Sequence, residues 1–357
     1  MISNSKKILF SINCSDFGGA QNMFYLIIKE LLENKYKIVV ALPKGPLYDK
    51  IINLKIETHV IDFSSFSSFY KINTLLKRND ISLINTHLSK SSLIFSLINI
   101  FHNKKICCSL HNAIIHEKLN FFQKKIYPFL YYILSKLSSC IIVNSLHNKN
   151  HMIKYGKINS NQIKIIPCGI IDNIKNKESD PLNSKFTIGY FGRLSKEKGV
   201  IFLLKALKIL KNKLKFKCII VGDGPDRKIL ESYVLKNNLN KHVEFLGFKS
   251  NVFTYLNMVD VLVAPSLNEA FGLSIIEAFS FKKLVIASNI DAIPELITNN
   301  KTGLLFPPKD HIKLSELLLK VSKSDNNHIT ENAYDLFKQK YTISRVTNQI
   351  LENFKNL

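Results

Sequence analysis

The sequence has no tryptophan, four methionines and six cysteines, none of them in a CxxC pair. That spacing gives no zinc ribbon and no redox pair, and predicts a reduced, cytosolic chain without a disulfide frame or structural zinc. Long apolar runs are also missing. A membrane-spanning helix needs about 18 uninterrupted apolar residues, whereas the longest candidate, Ile126 to Leu134, is nine residues long and contains Pro128. The apolar stretch behind Lys6 and Lys7 stops at Ile12, which predicts a first strand rather than a signal peptide. Low-complexity segments are absent and 46% of the 357 residues are apolar, so the chain can build packed cores, and its length suits two domains.

Acidic residues are scarce: 27 Asp and Glu face 50 Lys and Arg, a net charge of +23. Residues 1–170 hold 22 basic and 8 acidic residues, net +14, and residues 171–357 hold 28 and 19, net +9. Such a field favours phosphorylated substrates, an anionic membrane face or nucleic acid. No RRM signature or zinc finger is present, so nucleic acid is not an expected partner. The plain alternative is compositional drift, because the lysines are scattered and Lys, Asn and Ile abound throughout.

What is present is alternation. Lys7–Asn13, Lys37–Leu42, Ile81–Thr86, Lys105–Leu110 and Cys140–Asn144 read as buried strands, separated by amphipathic stretches such as Ala20–Glu33. Residues 172–185 are polar, contain Pro181 and read as a linker. A second set follows: Phe186–Gly192, Phe216–Gly222, Val243–Leu246, Val259–Pro265, Leu284–Ala287 and Gly303–Phe306. The expected architecture is α/β, with two doubly wound parallel sheets facing a cleft. The domains are 1–171 and 186–343, and a helix over 344–357 returns to the first. Such sheets bind ligands at the carboxyl ends of their strands.

Five constellations fall at those ends. Gly18-Gly19-Ala20 opens a helix after the first strand, where adjacent glycines let backbone N–H groups approach an anion; the GxGxxG of a dinucleotide site is absent. Gly192-Arg193-Leu194-Ser195-Lys196-Glu197-Lys198-Gly199 follows the first strand of the second domain, so Arg193 and Lys198 can clamp a diphosphate. Gly222-Asp223-Gly224-Pro225 is a turn by composition. Pro265 to Ala278 carries Glu269 in a loop and Glu277 one turn into the next helix; Phe271, Gly272 and Leu273 between them offer free N–H groups. Finally, His87 and His111 end adjacent first-domain strands, where an imidazole can hydrogen-bond a sugar or a phosphate. The bland readings are a tight turn, a solvated charged loop, a capped helix with two surface acids, and structural histidines.

With these residues in place, the chain resembles the family-4 retaining glycosyltransferases of GT-B fold, which act in bacterial surface-polysaccharide and glycolipid assembly. Glu269 and Glu277 match the family's EX7E motif within PSxxEAFGLxxxEA; Gly192–Gly199 matches GRLxxEKG, Gly222–Pro225 matches GDGP, Phe245-Leu246-Gly247 matches FLG and Gly18-Gly19-Ala20 matches GGA. The resemblance implies that Arg193, Lys198 and Gly192 hold the donor diphosphate. It implies that Glu269 contacts donor-sugar hydroxyls, with amides of Phe271, Gly272 and Leu273 on sugar or phosphate. Glu277 would bind the ribose, and Leu246 and Gly247 would lie near the base. His111 would face the reacting region, with His87 a weaker match. The chain departs from the family at EAxAxGxPVIAT, where Lys282 and Leu284 replace Gly and Pro, and at GGxPE, where Asp291 and Ala292 replace both glycines.

The implied reaction moves a sugar from a nucleotide diphosphate to a hydroxyl of a glycan or lipid-linked acceptor with retention. Charge on the leaving diphosphate would be met by Arg193, Lys198 and the helix N-terminus, each preorganised contact being worth roughly 2–4 kcal/mol. No Asp-x-Asp motif is present, so metal independence is expected. UDP is the default donor nucleotide and GDP the second. No carboxylate nucleophile is evident, which favours same-face attack assisted by the leaving phosphate. The segment His116–Leu137 mixes lysines and aromatics and suits either an anionic membrane surface or a helix with an aromatic core face. The competing classes are a GT-B sugar-nucleotide epimerase and a catalytically inactive sugar-nucleotide-binding protein.

Overall fold

Runs such as Ile38–Leu42, apolar on both faces, need helices on both sides of their sheet. A computed structural model describes residues 7–16, 18–111, 121–172, 185–249 and 251–357, with side chains from 126 onward in the helix Phe121–Leu137. Phe17, Asn112, the interior of the linker (173–184) and the start of the basic–aromatic segment (116–120) lie outside the described residues. The chain divides into two compact units, Met1–Ile170 with Ile343–Leu357, and Ile171–Thr342.

In the first unit, β1 (Lys7–Ile12), β2 (Ile38–Leu42), β3 (Glu57–Val60), β4 (Ile81–His87), β5 (Lys105–Leu110), β6 (Cys140–Val143) and β7 (Ile163–Ile165) form a parallel sheet in the order β3-β2-β1-β4-β5-β6-β7. The edge strands β3 and β7 are additions to the sequence reading. Each is short, and neither has a long apolar run; Glu57 of β3 is instead tied to Lys7 and Arg78.

The helix Gly19–Glu33 buries Met23, Phe24, Ile27, Ile28 and Leu31, spaced as one helical stripe. The helix Ile343–Lys355 buries Ile343, Val346, Ile350 and Phe354 and completes this unit. It is held at both ends. Ile343 N–H donates to the Ile170 carbonyl at 2.8 Å, and Asn353 Nδ2 lies 3.4 and 3.1 Å from the sulfurs of Cys107 and Cys140 on neighbouring strands. A Cβ on Gly169 would stand 2.9 Å from Val346 Cγ2, so glycine is what lets the helix approach. The helix Phe121–Leu137 divides its side chains between both readings of the basic–aromatic segment. Tyr131 and Leu134 are buried, whereas Ile126, Phe129 and Tyr132 are exposed.

In the second unit, β8 (Phe186–Phe191), β9 (Phe216–Val221), β10 (Val243–Gly247), β11 (Val261–Ala264), β12 (Leu284–Ser288) and β13 (Leu304–Phe306) form a parallel sheet in the order β10-β9-β8-β11-β12-β13. Ile188, Val261, Val263, Leu203, Leu207, Leu314 and Leu318 build its core with the flanking helices. In each unit the strand order reverses at the first strand, with β1 between β2 and β4 and β8 between β9 and β11. The crevice at the carboxyl end of such a switch is where doubly wound sheets bind ligands.

Candidate active site

The second unit brings the candidate residues together at that switch. β8 and β11 are neighbours, so the loops after them meet. Glu197 accepts the Leu267 N–H on its backbone oxygen at 2.7 Å, and Gly199 sits in the left-handed region (φ 62°), where a Cβ would run into the Pro265 carbonyl. Only glycine permits this lacing, and it carries Lys198 to Glu269: Lys198 Nζ donates to Glu269 Oε2 at 2.7 Å, and Ser266 Oγ donates to the same oxygen at 3.0 Å. Arg193 is exposed, and its guanidinium pairs with no acid among the described residues. Its backbone is held instead, its carbonyl accepting from the Tyr190 hydroxyl at 2.8 Å. Gly192 and Gly222 pack so closely that a Cβ on Gly222 would overlap the Gly192 carbonyl, and Gly222 N–H donates to the Gly247 carbonyl at 2.9 Å. Three strand ends therefore form one continuous rim. Leu246 and Gly247 lie on it beside Arg227, which pairs with Asp223 and Glu231.

The helix Leu273–Ser280 starts at Gly272 (φ 108°) with no side-chain cap. Ile275 N–H turns back onto the Gly272 carbonyl at 3.0 Å, and with no side-chain cap the N–H groups ahead of it, at Leu273 and Ser274, form an anion-binding arrangement. Phe271 is buried edge-on against Tyr341 at 6.1 Å, which fixes the peptide entering the helix. Glu277 lies one turn on from Leu273. Burial raises its carboxyl to about 7, and the carboxyl oxygens accept no hydrogen bond among the described residues.

Asp291, noted in the sequence only as a missing glycine, has a structural role that no motif announced. Its backbone is left-handed (φ 50°), a conformation glycine takes readily, and its Oδ2 accepts from Glu269 N–H at 3.0 Å and Asn268 Nδ2 at 2.8 Å. The next residue, Ala292, donates its N–H to the Glu269 carbonyl at 3.4 Å. Lys282, the other replacement, is likewise left-handed (φ 53°) and pairs with Glu331. At two of the replaced glycines the side chains of Lys282 and Asp291 sit on left-handed backbone and add contacts.

The first unit carries a separate polar group. His87 ends β4 and His111 follows β5; their rings lie edge to edge with centroids 5.0 Å and planes 25° apart, and His87 Nδ1 lies 2.8 Å from His111 Nε2. Burial keeps both neutral, His87 well below the usual imidazole range and His111 down to about 4. Both line a cavity of about 20 Å³ with Ser109 and Asn144, space for one water. Gly18 precedes Gly19 at the start of the helix Gly19–Glu33, again with no side-chain cap.

Family models agree with this geometry. Residues 17–173 match the model described as Glycosyltransferase Family 4, and residues 172–336 match Glycosyl transferases group 1. The chain is 28% identical over 312 residues to an uncharacterised 41.2 kDa protein in the cps region of Klebsiella pneumoniae, covering 83% of this chain and 85% of that one. It is 25% identical over 282 residues to the capsular polysaccharide biosynthesis glycosyltransferase CapM of Staphylococcus aureus, covering 74% and 73%. The fold matches the crystal structure of Anabaena HepE in complex with UDP and glucose, with a TM-score of 0.87 at 22% identity over 99% of this chain and 100% of that one. The chain is a glycosyltransferase: it belongs to family 4, with two Rossmann-like units of GT-B fold.

Proposed function

We propose that the chain is a retaining, metal-independent glycosyltransferase acting in surface-polysaccharide biosynthesis (capsule, O-antigen or exopolysaccharide). It moves a sugar from a UDP-sugar to a hydroxyl of a glycan or lipid-linked acceptor. The observation that carries this reading is the Lys198–Glu269 pair standing with the uncapped start of the helix Leu273–Ser280. The capsule-linked names of the relatives support the biosynthetic setting, and the UDP held by HepE supports the nucleotide.

The residues divide the work by charge. Arg193, Lys198 and the amides of Phe271, Gly272 and Leu273 hold the diphosphate and neutralise it as the glycosidic bond breaks, with no need for a divalent cation. Gly192 lets the backbone approach it. Glu269 accepts from donor-sugar hydroxyls while keeping Lys198 in place. Glu277 takes the ribose diol, and Leu246 and Gly247 flank the base. His111 faces the reacting sugar, with His87 behind it, and the Gly18–Gly19 turn offers its amides on the acceptor side. The exposed Ile126, Phe129 and Tyr132, with Lys136, suit contact with an anionic bilayer and a lipid-linked acceptor. Failure to co-sediment with anionic vesicles at low salt would remove that contact from the account.

A thermal-shift screen of nucleotide sugars on the protein and its Glu277→Ala variant tests the site. A donor at 100 times its dissociation constant adds about 2.7 kcal/mol of stability. A shift with one donor, lost in the variant, names the sugar. Product analysis then separates the classes: glycosylated acceptor of retained configuration in the presence of EDTA, epimerised sugar nucleotide, or binding without turnover.

A further inference from the structure

Asn85 lies fully buried in β4, two residues before His87. Its Nδ2 points at the Cys107 carbonyl (3.2 Å) and the Ser109 hydroxyl (3.2 Å) on β5. A backbone carbonyl can only accept, so the atom facing it must be the amide nitrogen, and the amide has one orientation. The Asn85 oxygen is left facing His87 Nε2 at 2.7 Å. That oxygen is acceptor-only, so His87 Nε2 carries the proton. A neutral imidazole has one N–H, which makes His87 Nδ1 an acceptor. The atom 2.8 Å from it, His111 Nε2, must then be the donor. His111 has spent its one proton, and its Nδ1 holds a bare lone pair with no partner among the described residues.

We infer that Asn85 and His87 are positioning residues that lock His111 as its Nε2–H tautomer, so that His111 Nδ1 serves as the hydrogen-bond acceptor for a sugar hydroxyl of the substrate. The second half rests on His111 working in the transfer reaction proposed above; the tautomer does not. The outer nitrogen of a metal-free histidine is set by the bond its other nitrogen makes, and here that control passes through two residues to a buried amide. Phe24, edge-on to the His87 ring at 5.0 Å, and Phe10 beside it hold the relay rigid.

Nitrogen-15 NMR of the full chain labelled in histidine reads the tautomer directly and needs no activity. The expected spectrum at neutral pH has His111 Nδ1 at the shift of an unprotonated nitrogen, with His111 Nε2 and His87 Nε2 at that of protonated ones. A protonated His111 Nδ1 overturns the inference whatever the enzyme does. Asn85→Leu removes the acceptor that faces His87 Nε2. The His111 signals should then reflect mixed tautomers, with kcat lowered at least tenfold and the donor KM within threefold. An Asn85→Leu variant that mixes tautomers at unchanged kcat would remove the substrate role of Nδ1. Absence of any transfer by the wild-type protein, with the locked spectrum intact, would sink the transferase reading and leave the relay standing.

Discussion

Lys198 and Glu269 lie 71 residues apart in the sequence and meet at 2.7 Å, each on the loop after one of two adjacent strands. Glu269 is the more buried partner, its side chain 14% exposed against 27% for Lys198. Removal of the lysine leaves a largely desolvated carboxylate with Ser266 as its one side-chain donor among the described residues. Lys198→Ala is therefore expected to fold and to lose about 10²–10³ in kcat, the usual cost of one preorganised transition-state contact. Because the pair acts as a unit, Lys198→Ala/Glu269→Ala should cost little more than the worse single change. Steady-state kinetics on the three variants checks both statements.

Glu277 gives the second unit an inverted pH dependence. Its carboxyl rises from 4.5 to about 7 in the fold, so between those values the folded protein holds a proton that the unfolded chain has released. The contribution of this group to stability then falls as pH rises through that window and levels off above it. The difference in unfolding free energy between wild type and Glu277→Gln, read by urea denaturation, should show this fall across pH 4.5–7. Nucleotide-sugar binding near pH 6.5 should release a proton as ribose hydroxyls stabilise the carboxylate, which calorimetry in buffers of differing ionisation enthalpy detects.

The histidine pair works in the opposite direction. His111 titrates at about 4 in the fold against 6.5 in the unfolded chain, so acidification protonates the unfolded state first. Stability from this group is complete above pH 6.5 and is lost as pH falls toward 4. His111→Asn should flatten that part of the profile, read as the difference in unfolding free energy between variant and wild type.

Asp291 anchors the peptide of Glu269 through its side chain, which glycine cannot do. Asp291→Gly keeps a backbone at ease with φ 50° and discards the side-chain bonds, those to Glu269 and Asn268 among them. Hydrogen bonds to a charged acceptor contribute about 1.5–3 kcal/mol each, yet the expected signature is kinetic: kcat down roughly tenfold or more, since a 1 Å misplacement of a reacting group can cost about 100-fold. Asp291→Asn, which keeps the acceptor and tolerates the left-handed backbone, should recover most of it.

The sheet cores were legible because β-branched runs such as Ile38–Leu42 have no other place to go, and all six strands of the second unit lie within the spans read from the sequence or extend them by a residue. The edge strands β3 and β7 escaped because an edge needs no apolar run: Glu57 and His59 are tied by ion pairs and hydrogen bonds rather than by burial. In the site, the carriers of charge stood in order along the chain, and their placement at strand ends followed from the alternation. What could not be read was which side chain holds which. Asp291 reaches Glu269 across 22 residues and Asn85 reaches Ser109 across 24; those bonds exist only once the sheet has set its register.

The helix Ile343–Lys355 belongs to the unit whose first strand begins at Lys7. During synthesis the ribosome delivers every strand of the first sheet, then the whole second unit, before it releases Val346, Ile350 and Phe354. The earlier unit therefore waits for a helix made after the whole of the later unit to cover its core, while the later unit has its complete set of strands and helices as soon as it emerges. Order of manufacture and order of completion are reversed for the two units, and a ribosome stalled within Ile343–Lys355 leaves the earlier unit, rather than the later one, unfinished.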